Sequence, residues 1–373
     1  MKRMETIAVI GIGRLGLCLA SQLEKAGHTV LGIDRQEAYI ESIRNGRFRS
    51  PEPGVEAAIR SAANFSCTTD YLQLTDPAVR LIFIAVATPG AAGGGYDHSM
   101  VDAALQSLYS LPAVPGRRDI VIVCTTEPGY CDARAKTALE HGFHLSYKPE
   151  FIAQGSILHD LQYPAQCLIG EADEDAGELL TEVYSRMTLS RPEVCRMSRL
   201  NAEIAKLATN CFLTMKISFA NAIGDLCLRS GADPEKVLNA VGSDRRIGRL
   251  FLRYGFGYGG PCFPRDNRTL RQFARQHCLQ LHLSAAADEA NQAHLDFQFE
   301  QYMAEYPVDQ PIHFQTVTYK PGTVILEESQ QLALAVRLAG AGRRVIIHER
   351  DEVLRQLKQE YGDLFEWEVL GGG

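Results

Sequence analysis

The chain has 373 residues, 46% of them hydrophobic and 22% charged, with a formal net charge of −7, long enough for two or three domains with cores of their own. An acidic chain without a Lys/Arg block carries no footprint for nucleic acid or an anionic membrane surface, so any anion it binds must be held by a local site. No apolar run is expected to approach the ~20 residues that span a bilayer, and the first residues lead straight into a strand-like segment with no export signal. The ten cysteines lie scattered and form no CxxC pair. That pattern predicts neither a metal site nor a disulfide scaffold, and it points to a reduced, cytoplasmic setting.

Taken in order, Thr6–Ile10 is an unbroken β-prone run. It is followed by Gly11, Gly13 and Gly16 in the spacing GxGxxG, then by a helical pattern over 17–26. A second strand over 28–33 ends in Asp34. Strand, glycine turn, helix, strand and acid together predict a dinucleotide site. The first two glycines make the turn and admit a pyrophosphate, while Gly16 allows close helix–strand packing. The helix N-terminus offers partial positive charge to the phosphates. Asp34 is placed to accept from a ribose 2′-hydroxyl and would repel a 2′-phosphate, which favours NAD over NADP; Arg35 beside it weakens that preference slightly. Two more buried strands are expected over 79–86 and 119–124. Each sets a threonine, Thr88 and Thr125, just past its C-terminal end, where open α/β sheets bind ligands. The glycine-rich stretch 90–95 between them reads as a flexible loop over the cofactor.

In the middle of the chain, Glu150 and Gln154 sit in an X-Pro turn, followed by a strand over 166–170 and an acidic helix over 173–187. A long helical pattern runs over 199–230, with apolar residues recurring at spacings of three or four. Lys206 and Asn210 are four apart and share one face. A lysine on a largely apolar face needs a reason, and a salt bridge to Glu203 is the plain one. Farther on, Cys262 lies in a glycine-rich turn, 257–266, with Arg265 and Asp266 three and four residues later. Glycines let a ligand approach closely, and positive charge beside a thiol favours the thiolate, so Cys262 is a candidate nucleophile. A buried turn cysteine is the plain alternative.

These motifs, in this order, resemble the NAD-dependent sugar-nucleotide dehydrogenases of the UDP-glucose/GDP-mannose 6-dehydrogenase type. The resemblance covers roughly residues 5–290. It is carried by the GxGxxG, Glu52-Pro53-Gly54, Val86-Ala87-Thr88-Pro89, Thr125 before Pro128-Gly129, Pro149-Glu150-Phe151 and the 202–210 stretch ending in Asn210. Asp244-Arg245-Arg246 and the turn from Gly259 to Asp266 complete the set. It implies a Rossmann-like doubly wound parallel sheet over 1–190, a central helical dimerisation domain over 195–295 and a shortened C-terminal α/β domain over 310–373. It also implies a cytoplasmic homodimer whose uronate product serves polysaccharide biosynthesis. Cys262 would be the nucleophile of a four-electron oxidation, with Lys206 and Asn210 stabilising the alkoxide or oxyanion. Asp266 and Thr125 would position a water, with Glu150 as a nearby base. Gly11, Gly13, Gly16, Asp34, Arg35, Thr88, Thr125 and Arg265 would hold NAD. The nucleotide sugar would meet Phe151, Lys206, Arg246 (of the same or the neighbouring subunit), Phe251, Tyr258, Gly259 and Lys320.

Three departures stand out. Gln154 replaces a second glutamate and cannot take a proton, which puts thioester hydrolysis in question and opens a two-electron alternative. Arg265 replaces a lysine with a planar fork. Glu327 stands where an arginine would meet the substrate, and the chain ends about half a domain early; both motivate a third alternative, a non-catalytic NAD-binding relative.

Overall fold

The computed structural model describes residues 5–91 and 94–370. It divides the chain into two compact units, with the boundary after Lys206. The first unit alternates strand and helix in the order β1 (Thr6–Ile10), α1 (Arg14–Lys25), β2 (Thr29–Ile33), α2 (Glu37–Arg44), α3 (Val55–Ser61), β3 (Phe65–Thr68), β4 (Val79–Ile84) and α4 (Ser99–Tyr109). It continues with β5 (Arg118–Ile122), α5 (Tyr130–Glu140), β6 (Phe143–Tyr147), α6 (Ile157–Gln162), β7 (Gln166–Gly170), α7 (Glu174–Met187) and β8 (Glu193–Met197), and then enters α8 (Arg199–Ser230).

One eight-stranded sheet results, in the order β3-β2-β1-β4-β5-β6-β7-β8, parallel except where β7 runs against β6. The strands at the centre of the sheet are largely apolar because both faces are covered, as the parallel arrangement requires, whereas the edge strand β8 is mostly exposed and carries Glu193 and Arg196. On one face Ile7, Val9, Leu81, Phe83 and Val121 pack with α1, α6 and α7. On the other, Ala8, Ile10, Ile82, Ile84 and Ile120 pack with α4 and α5. This alternation of neighbouring residues between faces is the two-residue repeat of a strand. Strand order reverses between β1 and β4, which opens the crevice where doubly wound sheets take their ligands.

The acidic helix predicted over 173–187 starts one residue later, with Asp173 as its cap, accepting from Ala176 N at 3.0 Å. Asp173 also takes Arg117 Nη2 and His144 Nδ1, each at 2.7 Å. Burial works against its anion, and the bonds from Arg117, Ala176 and His144 outweigh it, so the carboxyl is held down at about 2. A depressed carboxyl stabilises the fold above its unfolded value of 3.8, and that contribution is lost as pH falls through about 2. Asp173→Asn should therefore cost about 1 kcal/mol at neutral pH, discounted for the partial exposure of the site, or about 2–4 °C in Tm. Thermal melts across pH should show the gap closing below pH 3.8.

The second unit opens with the remainder of α8 and adds α9 (Pro234–Ser243), α10 (Phe263–Gln276) and α11 (His282–Glu305). A small parallel sheet follows, in the order β11-β10-β9, from β9 (Ile312–Phe314), β10 (Val345–Glu349) and β11 (Glu366–Val369). α12 (Gln330–Gly340) and α13 (Asp351–Tyr361) pack on it around Leu334, Leu338, Ile347 and Leu357. The sequence expectation of no bilayer-length apolar stretch needs one correction. Among the described residues α8 is long and apolar enough to cross a membrane, with a mean hydropathy of 1.3 over its best window. Core helices pass the same test, so this alone is a weak sign. Its exposed apolar residues Phe212, Phe219 and Leu226 recur every seven positions and form one stripe.

Candidate active site

The predicted site residues fall in both units. In the first, the β1–α1 turn has the shape that its glycines imply. Gly11 is left-handed, at φ +83°, and donates its N–H to Ile33 O at 2.7 Å, which ties the turn to the end of β2. A Cβ on Gly16 would collide with the Gly11 carbonyl, while one on Gly13 would meet nothing within 4 Å. The turn is therefore closed against its own sheet and open on the ligand side. Gly13 caps α1 without a side-chain bond, and the first turn carries no acid. Its leading N–H groups can thus face an anion, with the helix dipole behind them.

Asp34 follows β2, half-buried, with Oδ1 accepting from Gln36 N at 3.1 Å, and Arg35 is exposed beside it. Thr88 and Thr125 lie half-buried beyond the C-terminal ends of β4 and β5. The residues fit a dinucleotide: a closed turn, an uncapped helix start and an acid at the end of the second strand. In the 90–95 loop, Ala92 and Gly93 lie outside the described residues, and Gly90 pairs with Tyr96 in an antiparallel bridge. Asp34→Ala should weaken NAD roughly 10-fold or more, as loss of hydrogen bonds to a charged acceptor implies. It should also raise affinity for NADP, and parallel titrations of the two cofactors by protein fluorescence would show both effects.

Around Pro149 the structure adds connections that spacing alone does not reveal. Glu150 gives one carboxylate oxygen to Lys148 Nζ and the other to Tyr184 OH, each at 2.6 Å, and all three residues are buried. Burial, and then the Glu150 charge, push the Tyr184 hydroxyl well above its ordinary range. Both oxygens expected to act as a base are thus engaged within the protein. The Glu150 carbonyl accepts from Lys206 Nζ at 2.9 Å, and Nζ lies 4.1 Å from the centre of the Phe151 ring. Glu203, the plain alternative as a partner for Lys206, takes three donors at the start of α5. Fully buried, it accepts from Thr126 Oγ1 at 2.8 Å, Gly129 N at 2.7 Å and Cys131 N at 2.9 Å. It thereby anchors the start of α5 and the loop that carries Thr125. Burial pushes its carboxyl up, against the pull of these donors. Glu52, in the Glu-Pro-Gly motif, accepts from Gly155 N at 3.0 Å and braces the turn beside Gln154. Gln154 Oε1 is buried with no hydrogen-bond partner within the protein.

In the second unit, Cys262 is exposed at the N-cap of α10, where a helix dipole favours an anion. Asp266 N donates to Cys262 O at 2.8 Å, and the buried Asp266 carboxylate accepts from Asn210 Nδ2 at 2.6 Å. Arg265 lies half-buried on the same first turn. Tyr258 OH donates to Asp288 Oδ1 and accepts from Asn267 Nδ2 at 3.1 Å. Phe251 is left-handed, at φ +60°, with its ring edge-on to Phe263 at 6.4 Å. Gly259 packs so tightly on the Glu328 carbonyl that a Cβ would collide with it. Arg246 is exposed and paired with Asp244 at 2.7 Å. Lys320 is half-buried, and its carbonyl accepts from Thr318 Oγ1 and Thr323 Oγ1 at 3.0 and 2.8 Å. Glu327 is exposed, and its carbonyl accepts from Gly260 N at 2.9 Å. Among the described residues no cluster of His, Cys, Asp and Glu could hold a metal.

Residues 5–188 match the NAD binding domain of the UDP-glucose/GDP-mannose dehydrogenase family, and residues 200–293 match its central domain. The chain is 32% identical over 359 residues to the UDP-glucose 6-dehydrogenase of Pseudomonas aeruginosa, covering 92% of this chain and 78% of that protein. It is 28% identical over 360 residues to the GDP-mannose 6-dehydrogenase of the same organism, covering 92% and 81%. A solved UDP-glucose dehydrogenase from Pyrobaculum islandicum superimposes with a TM-score of 0.86 at 30% identity, covering 98% of this chain and 86% of that one.

Proposed function

We propose that this chain, which belongs to the UDP-glucose/GDP-mannose dehydrogenase family, oxidises the C6 alcohol of a nucleotide sugar to the carboxylate through a covalent Cys262 intermediate. It is an NAD-dependent sugar-nucleotide dehydrogenase; the four-electron course and the thioester are the proposal. The observation that carries them is Cys262 itself, exposed at the start of α10 with the buried Asn210–Asp266 pair one turn along.

Gly11, Gly13, Gly16 and Asp34 would hold NAD, and two NAD molecules bound in succession would each accept one hydride, the proton of the C6 hydroxyl passing to water. Lys206, aimed by the Glu150 carbonyl and the Phe151 ring, and Asn210, oriented by Asp266, stabilise negative charge on the C6 oxygen. The Cys262 thiolate adds to the C6 aldehyde as a thiohemiacetal, and loss of the second hydride leaves a thioester. Thr125 and Asp266 orient the water that opens it. The water oxygen enters the carboxylate, its protons pass to solvent and the thiolate is regenerated. Glu150 serves in this scheme by fixing Lys206, because its own carboxylate is engaged by Lys148 and Tyr184.

Support for a homodimer comes from the Phe212–Phe219–Leu226 stripe, which a second copy of α8 would cover. The ten cysteines form no disulfide, which fits a reducing, cytoplasmic setting. Gln154 favours a second reading, in which the reaction stops after two electrons or at the thioester. The test is NADH yield per substrate consumed across UDP- and GDP-sugars. Two NADH with a carboxylate product support the four-electron course. One NADH with an aldehyde would replace it by the second reading, and no NADH from any substrate of the panel would count against both.

A further inference from the structure

The chain leading into the Cys262 turn, residues 255–260, belongs to no helix or strand, so its backbone groups must be answered individually. Side chains answer those of Gly255 and Tyr258, and the carbonyl of Phe256. Asn291, on α11 and buried, takes the Tyr258 N–H on Oδ1 at 2.9 Å and gives Nδ2 to the Tyr258 carbonyl at 3.0 Å. A carboxamide carries the same donor and acceptor as a peptide group, so this single side chain grips Tyr258 as a neighbouring strand would. Asn221, on α8, treats the preceding residues alike, accepting from Gly255 N at 3.1 Å and donating to Phe256 O at 3.4 Å. His294 Nε2 adds a bond to Gly255 O at 2.7 Å.

Beyond Tyr258 there is no slack. Gly259 is pressed on the Glu328 carbonyl and Gly260 on the Tyr319 ring, and Pro261 fixes its own φ. A displacement at Tyr258 must therefore pass through three constrained residues into Cys262. Gly257 completes the device, since any Cβ there would run into Asn291 Oδ1.

We propose that Asn291 is a positioning residue for the Cys262 nucleophile, and that Gly257 is glycine so that this carboxamide can close on Tyr258. The proposal rests on the reading of Cys262 as nucleophile and is tested so that the two can fail separately. The variants are Asn291→Ala, Asn291→Asp, Gly257→Ala and the Asn291→Ala/Gly257→Ala double. Asn291→Asp keeps the shape and the acceptor for the Tyr258 N–H but cannot donate to the Tyr258 carbonyl. Each is assayed for turnover with the nucleotide sugar that wild type accepts, and for the rate at which iodoacetamide alkylates Cys262, resolved by peptide mass mapping. Cys278, the other exposed thiol, serves as the internal control.

Asn291→Ala should lower kcat roughly 10- to 100-fold with KM within about twofold, as a misplaced reacting group does. It should also change the Cys262 alkylation rate about threefold or more and leave Cys278 as it was. Asn291→Asp should fall between Asn291→Ala and wild type. Gly257→Ala should resemble Asn291→Ala, and the double variant should be no worse than the poorer single, because the collision needs both partners; a cycle of this kind isolates that coupling. The proposal is overturned if Asn291→Ala keeps wild-type kcat and Cys262 reactivity, or if Cys262 and Cys278 change together in step with a lowered Tm. Absence of turnover in wild type would defeat the reading of Cys262 while the alkylation ratio still decides the positioning role.

Discussion

Cys262→Ser should abolish carboxylate formation, lowering kcat for the complete oxidation by roughly 10³-fold or more, while leaving NAD affinity and Tm at wild-type values. The stability expectation follows from position: Cys262 is exposed at the mouth of a turn and fills no part of a core. The kinetic one follows from chemistry, since a serine hydroxyl at neutral pH is a weak nucleophile without a base to activate it, whereas a thiolate at a helix start is ready to add to an aldehyde. Rapid-quench analysis with a trapping amine should find at most one NADH per substrate and the aldehyde as the captured product. Carboxylate formed by the serine variant at the wild-type rate would sink the covalent route.

The second large effect concerns a residue that touches neither cofactor nor substrate in the proposed scheme. Glu203→Ala should cost about 3–5 kcal/mol, because it leaves a hydroxyl and two backbone N–H groups buried without their acceptor. For a unit of this size that corresponds to a fall of about 10 °C in Tm. Glu203→Gln keeps one acceptor oxygen but turns an NH2 group toward donors, and should lie between Glu203→Ala and wild type. Because Glu203 anchors the loop bearing Thr125, kcat should fall alongside stability. A Glu203→Ala protein melting within 2 °C of wild type would show that the three bonds contribute little; that threshold is about 0.5–1 kcal/mol.

What could be read in the sequence was what rests on local pattern. The β1–α1–β2 unit followed from glycine spacing and the acid that ends it, and α8 emerged with the bounds its periodicity predicts because its apolar residues repeat over nine turns. Strand ends drifted by one or two residues: β4 stops at Ile84 rather than 86, and β5 runs over Arg118–Ile122 rather than 119–124. There the chain leaves the ladder while remaining apolar, so composition gives no stop signal. α10 lay hidden at its start because Phe263-Pro264 read as the end of a turn. Proline near the first helical position is a start signal of equal standing.

The supporting contacts of the site were not legible in the same way. Glu52 meets Gly155 across 103 positions, Glu203 meets Cys131 across 72, and Asn291 meets Tyr258 across 33. No periodicity links such pairs; only the fold brings them together. Glu203 shows the limit directly, since its nearness to Lys206 along the helix said nothing about the claim that the α5 start has on its carboxylate. Glu150 shows it again. Its motif marked it as a site residue, but Lys148 and Tyr184, which decide what its carboxylate can do, carry no spacing signal of their own.

The strand order has a consequence for how this protein emerges from the ribosome. β1 is made before β2 and β4, yet it lies inside the sheet with β2 on one side and β4 on the other. β2 arrives within about two dozen residues, but β4 is complete only at Ile84, so a nascent chain carries the apolar Thr6–Ile10 segment with one edge open through most of that interval. An unpaired, flat, apolar edge is a template for association with other chains. Parallel partners distant in sequence also form slowly, because loop closure must precede the contact. Slowing translation between residues 33 and 79 should therefore raise the fraction of chains captured by chaperones, whereas the same delay placed after residue 124, when β1, β4 and β5 can all pair, should not.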